Sequence, residues 1–203
     1  MNNGRRLILI LGGARGGKST FAEQLAGELG REVLFVATAE PNDEAMQDRI
    51  AAHRRARPAH WRTAEAPAAA GAVIAKAAEG AEVVLLDCLT MLTANLLLRE
   101  ASEDPQADGT YDVLVAVVHG ELEAIWQWFE GGRAHLIVVS NEVGMGLVPP
   151  YPLGRAYRDL LGWANRWLAT RADEVYLMVA GIPVDVKALA RSKGELQIGE
   201  GSG

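Results

Sequence analysis

The sequence predicts an α/β fold: a mainly parallel central sheet with helices on both faces. Three observations predict it. Short runs rich in Val, Ile and Leu recur along the 203 residues, segments of helical period lie between them, and the runs stay apolar instead of alternating. A strand buried on one face alternates polar with apolar residues, whereas one buried on both faces does not. Strand following helix in regular turn is the order a parallel sheet needs, because parallel neighbours are joined by a crossover.

In chain order, the predicted strands are RLILIL (6–11), EVLFVAT (32–38), EVVLLD (82–87), HLIVVS (135–140) and EVYLMVA (174–180), with a short last one near 184–188. The helical patterns are 18–29, roughly 43–56, 67–79, 88–99, 111–129 and 154–170. EDPQADGT (103–110) reads as a polar loop and GELQIGEGSG (194–203) as a loose tail. With no linker dividing the chain, residues 1–190 are expected to form a single α/β domain, with 191–203 as a flexible tail.

The composition narrows the classes. An apolar content of 49% is too high for disorder, and a net charge of −6 offers no broad cationic surface for nucleic acid. The one cysteine, Cys88, excludes an intrachain disulfide framework and suits a reducing cytoplasm. The first apolar run meets glycines at once, so it is expected to be neither a signal sequence nor a membrane span, and no later segment reaches spanning length without charge.

GGARGGKS, residues 12–19, follows the first predicted strand and opens the first helix. It matches G-x-x-x-x-G-K-[ST] in the context that motif requires. Glycines let the backbone curl until its N–H groups point at phosphate oxygens, and the helix start adds its positive end. Lys18 can reach the outer phosphates and the Ser19 hydroxyl can ligate Mg²⁺. The fold is therefore expected to be P-loop NTPase-like.

A metal partner is expected at the carboxyl end of another strand, the edge where open α/β sheets bind ligands. Asp87 ends VVLLD and fits that role; it equally fits an N-cap for the helix after it. Asn141 and Glu142 leave HLIVVS in the same way and open NEVGMGLVPP, either a plain connection or a substrate loop. His119 and His135 lie in apolar surroundings and read as structural.

DRIAAHRRARPAHWRTAE (48–65) holds five arginines and two histidines. Charge runs usually mark a solvated helix face. Where phosphate is expected, however, Arg54, Arg55, Arg57 and Arg62 could bind it in forked geometry. A histidine beside them could act as a nucleophile toward phosphorus, kept neutral by the surrounding positive charge.

The chain resembles the bifunctional adenosylcobinamide kinase / adenosylcobinamide-phosphate guanylyltransferase family of cobalamin biosynthesis. The resemblance rests on GGARGGKS, FVAT (35–38), RPAHWRTAE (57–65), NEVGMGLVP (141–149) and ADEVYLMVAGIPVDVK (172–187), in the family's order. It implies transfer of a γ-phosphoryl group to the hydroxyl of adenosylcobinamide. GMP from GTP is then attached to that phosphate through a guanylyl-histidine, releasing pyrophosphate. GTP and ATP are the implied nucleotides, Mg²⁺ the cofactor, and a homotrimer the assembly. The family's guanylylated histidine stands four positions before the Arg of RPAHW, which makes His53 the implied nucleophile.

Nucleotide contacts carry over to Gly12, Gly13, Ala14, Arg15, Gly16, Gly17, Lys18 and Ser19. They carry over also to Thr38, Ala39 and Glu40, to Arg54, Arg55, Ala56 and Arg57, and to Glu65 and Asp87, with Ser19 and Asp87 on the metal. Relatives often have paired histidines where this chain has Ala52–His53, and a serine where it has Gly16. The general base of the kinase step stays open between Asp87, Glu142 and substrate positioning alone. Another small-molecule P-loop kinase, without a histidine intermediate, is the nearest alternative, and a nucleotide-dependent binding protein is a more distant one.

Overall fold

The computed structural model describes residues 4–40, 47, 54–55, 57–100 and 110–192. The elements run β1 (Leu7–Gly12), α1 (Lys18–Leu29), β2 (Val33–Ala37), β3 (Arg62–Glu65), α2 (Ala70–Ala77), β4 (Val83–Asp87) and α3 (Leu89–Glu100). They continue with α4 (Thr110–Gly131), β5 (His135–Val139), α5 (Pro152–Arg171), β6 (Glu174–Val179), β7 (Ile182–Asp185) and α6 (Val186–Ser192). The fold is the mainly parallel α/β architecture the apolar runs predict. Of the helix expected at 43–56, only Gln47, Arg54 and Arg55 are described, and all three are helical.

The strands form one sheet in the order β3-β2-β4-β5-β1-β6-β7. All neighbours are parallel except β6 and β7, which pair antiparallel from Tyr176↔Asp185 to Val179↔Ile182. The chain leaves β1 for β2 and later fills the gap with β4 and β5. The carboxyl ends of β4, β5 and β1 therefore frame the crevice where such sheets take ligands.

Period-two geometry sorts the side chains onto two faces. Leu7, Leu9, Leu34, Val36, Val84, Leu86, Leu136 and Val138 face one way and pack on α2, α3, α4 and α5. Ile8, Ile10, Val33, Phe35, Val83, Leu85, Ile137 and Val139 face the other way, onto Ala22 and Ala26 of α1 and onto Trp61. Because both faces are covered, no polar alternation is tolerated. That is why these runs read as continuous apolar stretches.

Two departures have local causes. β3 was not expected: RTAE is short, polar and largely exposed at the sheet edge, so it carries no apolar signal. The strand expected near 184–188 lies at Ile182–Asp185 instead, and a helix starts at Val186. The Asp185 carboxylate stops it there by accepting the Ala188 N–H at 2.9 Å, a side-chain cap on a free helix-end donor.

Candidate active site

The loop after β1 is shaped for an anion. Gly12 has φ +148°, and a Cβ there would lie 2.9 Å from the Met178 carbonyl oxygen of the neighbouring strand, so a side chain would be strained and would clash. Gly17 has φ +86° directly before the first residue of α1. The loop is closed by the Gly16 N–H donating to the Gly13 oxygen at 3.2 Å. Lys18 Nζ donates to the same oxygen at 2.7 Å. No side chain caps the start of α1 and its first turn has no acidic residue, which leaves its amides and its positive end for a ligand.

A cavity of about 510 Å³ opens over this loop. Its floor is the α1 face of the sheet, continued by the period of two past the strand ends: Phe35 and Ala37 of β2 with Ala39 beyond it, Asp87 at the end of β4, and Val139 of β5 with Asn141 beyond it. The motif residues Ala14, Arg15, Gly16, Gly17, Lys18 and Ser19 line it, as do Arg54, Arg57 and Glu65. Residues far apart in sequence thus meet at one edge.

Other expected contacts lie outside the lining. The Thr38 side chain is buried and occupied: its hydroxyl accepts the Cys88 N–H and donates to the Cys88 oxygen, both at 2.7 Å. It ties the ends of β2 and β4 together. Glu40 pairs with Arg99 at 2.8 Å. Gly12, Gly13 and Arg55 are not among the lining residues. Gly12 and Gly13 act through backbone shape. Arg55, next to Arg54 on a helical turn, faces elsewhere. His53 and Ala56 lie outside the described residues.

The arginines divide. The Arg57 guanidinium lies 3.2 Å from the Phe35 ring centroid, and its Nε is 3.4 Å from Glu23 Oε1. Burial is the main cause lowering its pKa, opposed by the charges of Glu23 and Asp87. It is fixed in the cavity wall. Arg62 corrects an expectation: it belongs to β3 and points to the other face, donating to the oxygens of Ala77 and Glu79 at 2.8 Å. It caps the end of α2 and does not bind phosphate. Thr63 and Glu65, of opposite parity, face the cavity instead.

Asp87 and Ser19 both line the cavity, and neither side chain has a hydrogen bond to any described residue. An N-cap role for Asp87 would require such a bond to a backbone N–H at the start of α3. Among the described residues, no group of three or more His, Cys, Asp or Glu forms a metal cage. A carboxylate and a hydroxyl beside a phosphate loop are instead the donor set of Mg²⁺, which takes the rest of its oxygens from phosphate and water. The residues present fit that ion.

The neighbouring Cys88 is no nucleophile. Burial, helped by the Asp87 charge, pushes its thiol up to about 11, so it stays protonated. His135 is structural: its Nδ1 accepts the Arg6 N–H at 3.1 Å at the far edge of the sheet, and burial lowers its pKa. His119 packs edge-on against Trp163 and Trp167.

The family model described as cobinamide kinase / cobinamide phosphate guanyltransferase matches residues 8–186. The chain belongs to this family. It is 44% identical over 179 residues to the bifunctional adenosylcobalamin biosynthesis protein CobP of Pseudomonas aeruginosa, covering 88% of this chain and 96% of that one. It is 39% identical over 181 residues to the bifunctional adenosylcobalamin biosynthesis protein CobU of Escherichia coli strain K12, covering 89% and 99%. The family is one of transferases, and the match spans every element from β1 to the start of α6.

Several cavity residues gave no sequence signal of function. Phe35 looks like any core residue of a strand. Thr90 is an ordinary polar residue after a strand end, Asn141 opens the NEVGMGLVP motif without a role assigned to it, and Thr63 sits in a strand that polarity hides. No motif covers Thr90, the second residue of α3.

Proposed function

We propose that the chain phosphorylates adenosylcobinamide with ATP or GTP. It then transfers GMP from GTP to adenosylcobinamide phosphate, giving adenosylcobinamide-GDP and pyrophosphate. One observation supports this reading most: a single cavity joins the glycine loop, Lys18 and Ser19 to Asp87 and to Arg54 and Arg57 of the basic segment. A kinase alone accounts for the loop and Asp87. The basic segment meeting the same cavity suits a second displacement, at the α-phosphorus.

The roles follow from the chemistry. Loop amides and the start of α1 hold phosphate oxygens, and Lys18 offsets charge on the outer phosphoryl groups. Arg54 and Arg57 stabilise charge developing during transfer. Mg²⁺, when bound by Ser19 and Asp87, would neutralise phosphate charge in both reactions. His53 is the nucleophile that accepts the guanylyl group. What supports this role is its motif position, directly before Arg54, which lines the cavity. Covalent catalysis divides one difficult displacement into two.

The working form in this reading is a cytoplasmic homotrimer of chains whose residues 1–190 act as one unit. No described helix is long and apolar enough to cross a membrane. One surface feature supports the assembly: Ile182 on the edge strand β7 and Leu189 on α6 are large, apolar and exposed, as an assembly surface would be.

Asp87→Asn tests the shared site. It is expected to lower both activities and to raise the Mg²⁺ concentration needed for half-maximal rate about tenfold or more, because a hard cation favours charged oxygen. A Mg²⁺ titration of both reactions, with a thermal melt alongside, checks it. An unchanged titration with a lowered melting temperature would return Asp87 to a structural role.

A further inference from the structure

Asn141 has no part in the chemistry described so far, yet it stands between the two ends of the phosphate site. The strand order places β5 between β4 and β1. Past the end of β5 the chain keeps to β1: the Ser140 N–H donates to the Ile10 oxygen at 2.9 Å and the Glu142 N–H to the Gly12 oxygen at 3.2 Å. On the other side Val139 is in register with Asp87. Asn141 is therefore flanked by the first glycine of the loop and by the carboxylate of β4. Its parity is that of Ile137 and Val139, the α1 face, and it lines the cavity.

We propose that the Asn141 carboxamide donates a hydrogen bond to the outermost phosphoryl group of the bound nucleoside triphosphate, and that Asn165 is the positioning residue that holds it there. The proposal rests on reading the cavity as a triphosphate site. Both backbone groups of Asn141 are committed. Its N–H donates to Thr90 Oγ1 at 2.8 Å, and its carbonyl accepts from Asn165 Nδ2 at 2.9 Å. Its carboxamide, in contrast, has no hydrogen bond to any described residue. A fixed backbone with an uncommitted amide is how a donor is pre-aimed at a ligand.

The anchoring comes from the opposite face of the sheet. Ser140, of opposite parity, is fully buried against α5 and donates its hydroxyl to Asn165 Oδ1 at 2.6 Å. Asn165 is itself 4% exposed. A buried amide costs stability unless its bonds are made, and here both its oxygen and its nitrogen are bonded. The pair thus clamps the two residues after β5 in one geometry. The loop amides and the start of α1 take the inner phosphates, while Lys18 reaches outward. A donor across the crevice from that loop, beside Asp87, meets the end of the phosphate chain.

The test measures binding of α,β-methylene-GTP and α,β-methylene-GDP by calorimetry in the presence of Mg²⁺; neither can guanylylate a histidine. The wild-type chain should prefer the triphosphate. Asn141→Ala should cut that preference roughly 10- to 100-fold, the range of one hydrogen bond to a charged group, with diphosphate affinity unchanged. Asn165→Leu should shift the ratio the same way, and the double variant should add no further loss. Should Asn165→Leu not fold, Asn165→Asp replaces it, keeping the acceptor for Ser140 and losing the donor to Asn141. An Asn141→Ala chain with the wild-type ratio overturns the proposal alone. An Asn165 variant that melts lower but keeps the ratio overturns the positioning role. A wild-type chain that binds neither analogue overturns the triphosphate reading of the cavity, and the proposal with it.

Discussion

Lys18→Ala is expected to lower phosphorylation of adenosylcobinamide by on the order of 10²- to 10³-fold, the usual loss when one pre-aimed donor to transition-state charge is removed. Among the described residues Lys18 is the only lysine lining the cavity, and it is 8% exposed at the first position of α1. Its Nζ is drawn onto the Gly13 oxygen at 2.7 Å, which keeps the ammonium over the loop. Arg57 does not take its place, because it is held by Phe35 and Glu23. GTP use in the second reaction should weaken as well if, as proposed, the same loop serves both. Alanine is well tolerated in a helix, so the melting temperature should change little. Near-normal phosphorylation together with near-normal triphosphate affinity would remove the glycine loop from the mechanism.

His53→Ala is expected to abolish covalent guanylylation and GMP transfer while sparing much of the kinase reaction. The kinase step uses the substrate hydroxyl as its nucleophile and needs none from the protein. Ala52 precedes His53, so no neighbouring imidazole can substitute. His60, exposed in the turn before β3 and past Pro58, should be dispensable for the label. Both reactions are to be assayed in His53→Ala and His60→Ala. Loss of both in a folded His53→Ala would mean that this residue positions phosphate for both steps, and the division of labour would be wrong.

Much of the architecture is legible because its cause is local. A sheet covered on both faces demands apolar residues at every strand position, and GGARGGKS can curl only where glycine permits it. The basic segment is harder to read. Arg54, Arg57 and Arg62 look equivalent in sequence, but a four-residue edge strand sends Arg62 to the far face, while Phe35 and Glu23 hold Arg57 in the cavity wall. Facing in so short a strand depends on its register with β2, which no pattern within RTAE reports. The anchoring of Asn141 is equally hidden, because Ser140 and Asn165 meet only after the sheet and α5 have packed. His53 lies outside the described residues, so its role comes from its motif and from the position of Arg54.

The most direct measurement is incubation of the wild-type chain with GTP labelled at the α-phosphate or, in parallel, at the γ-phosphate. The chain is then denatured, digested with trypsin and the labelled peptide identified. With the α label, about one guanylyl group per chain is expected on the peptide that contains His53, and a chase with adenosylcobinamide phosphate should remove it into product. With the γ label, the peptide should carry nothing. No retained α label, or a label on a peptide lacking His53, would contradict a guanylyl-histidine in this cavity.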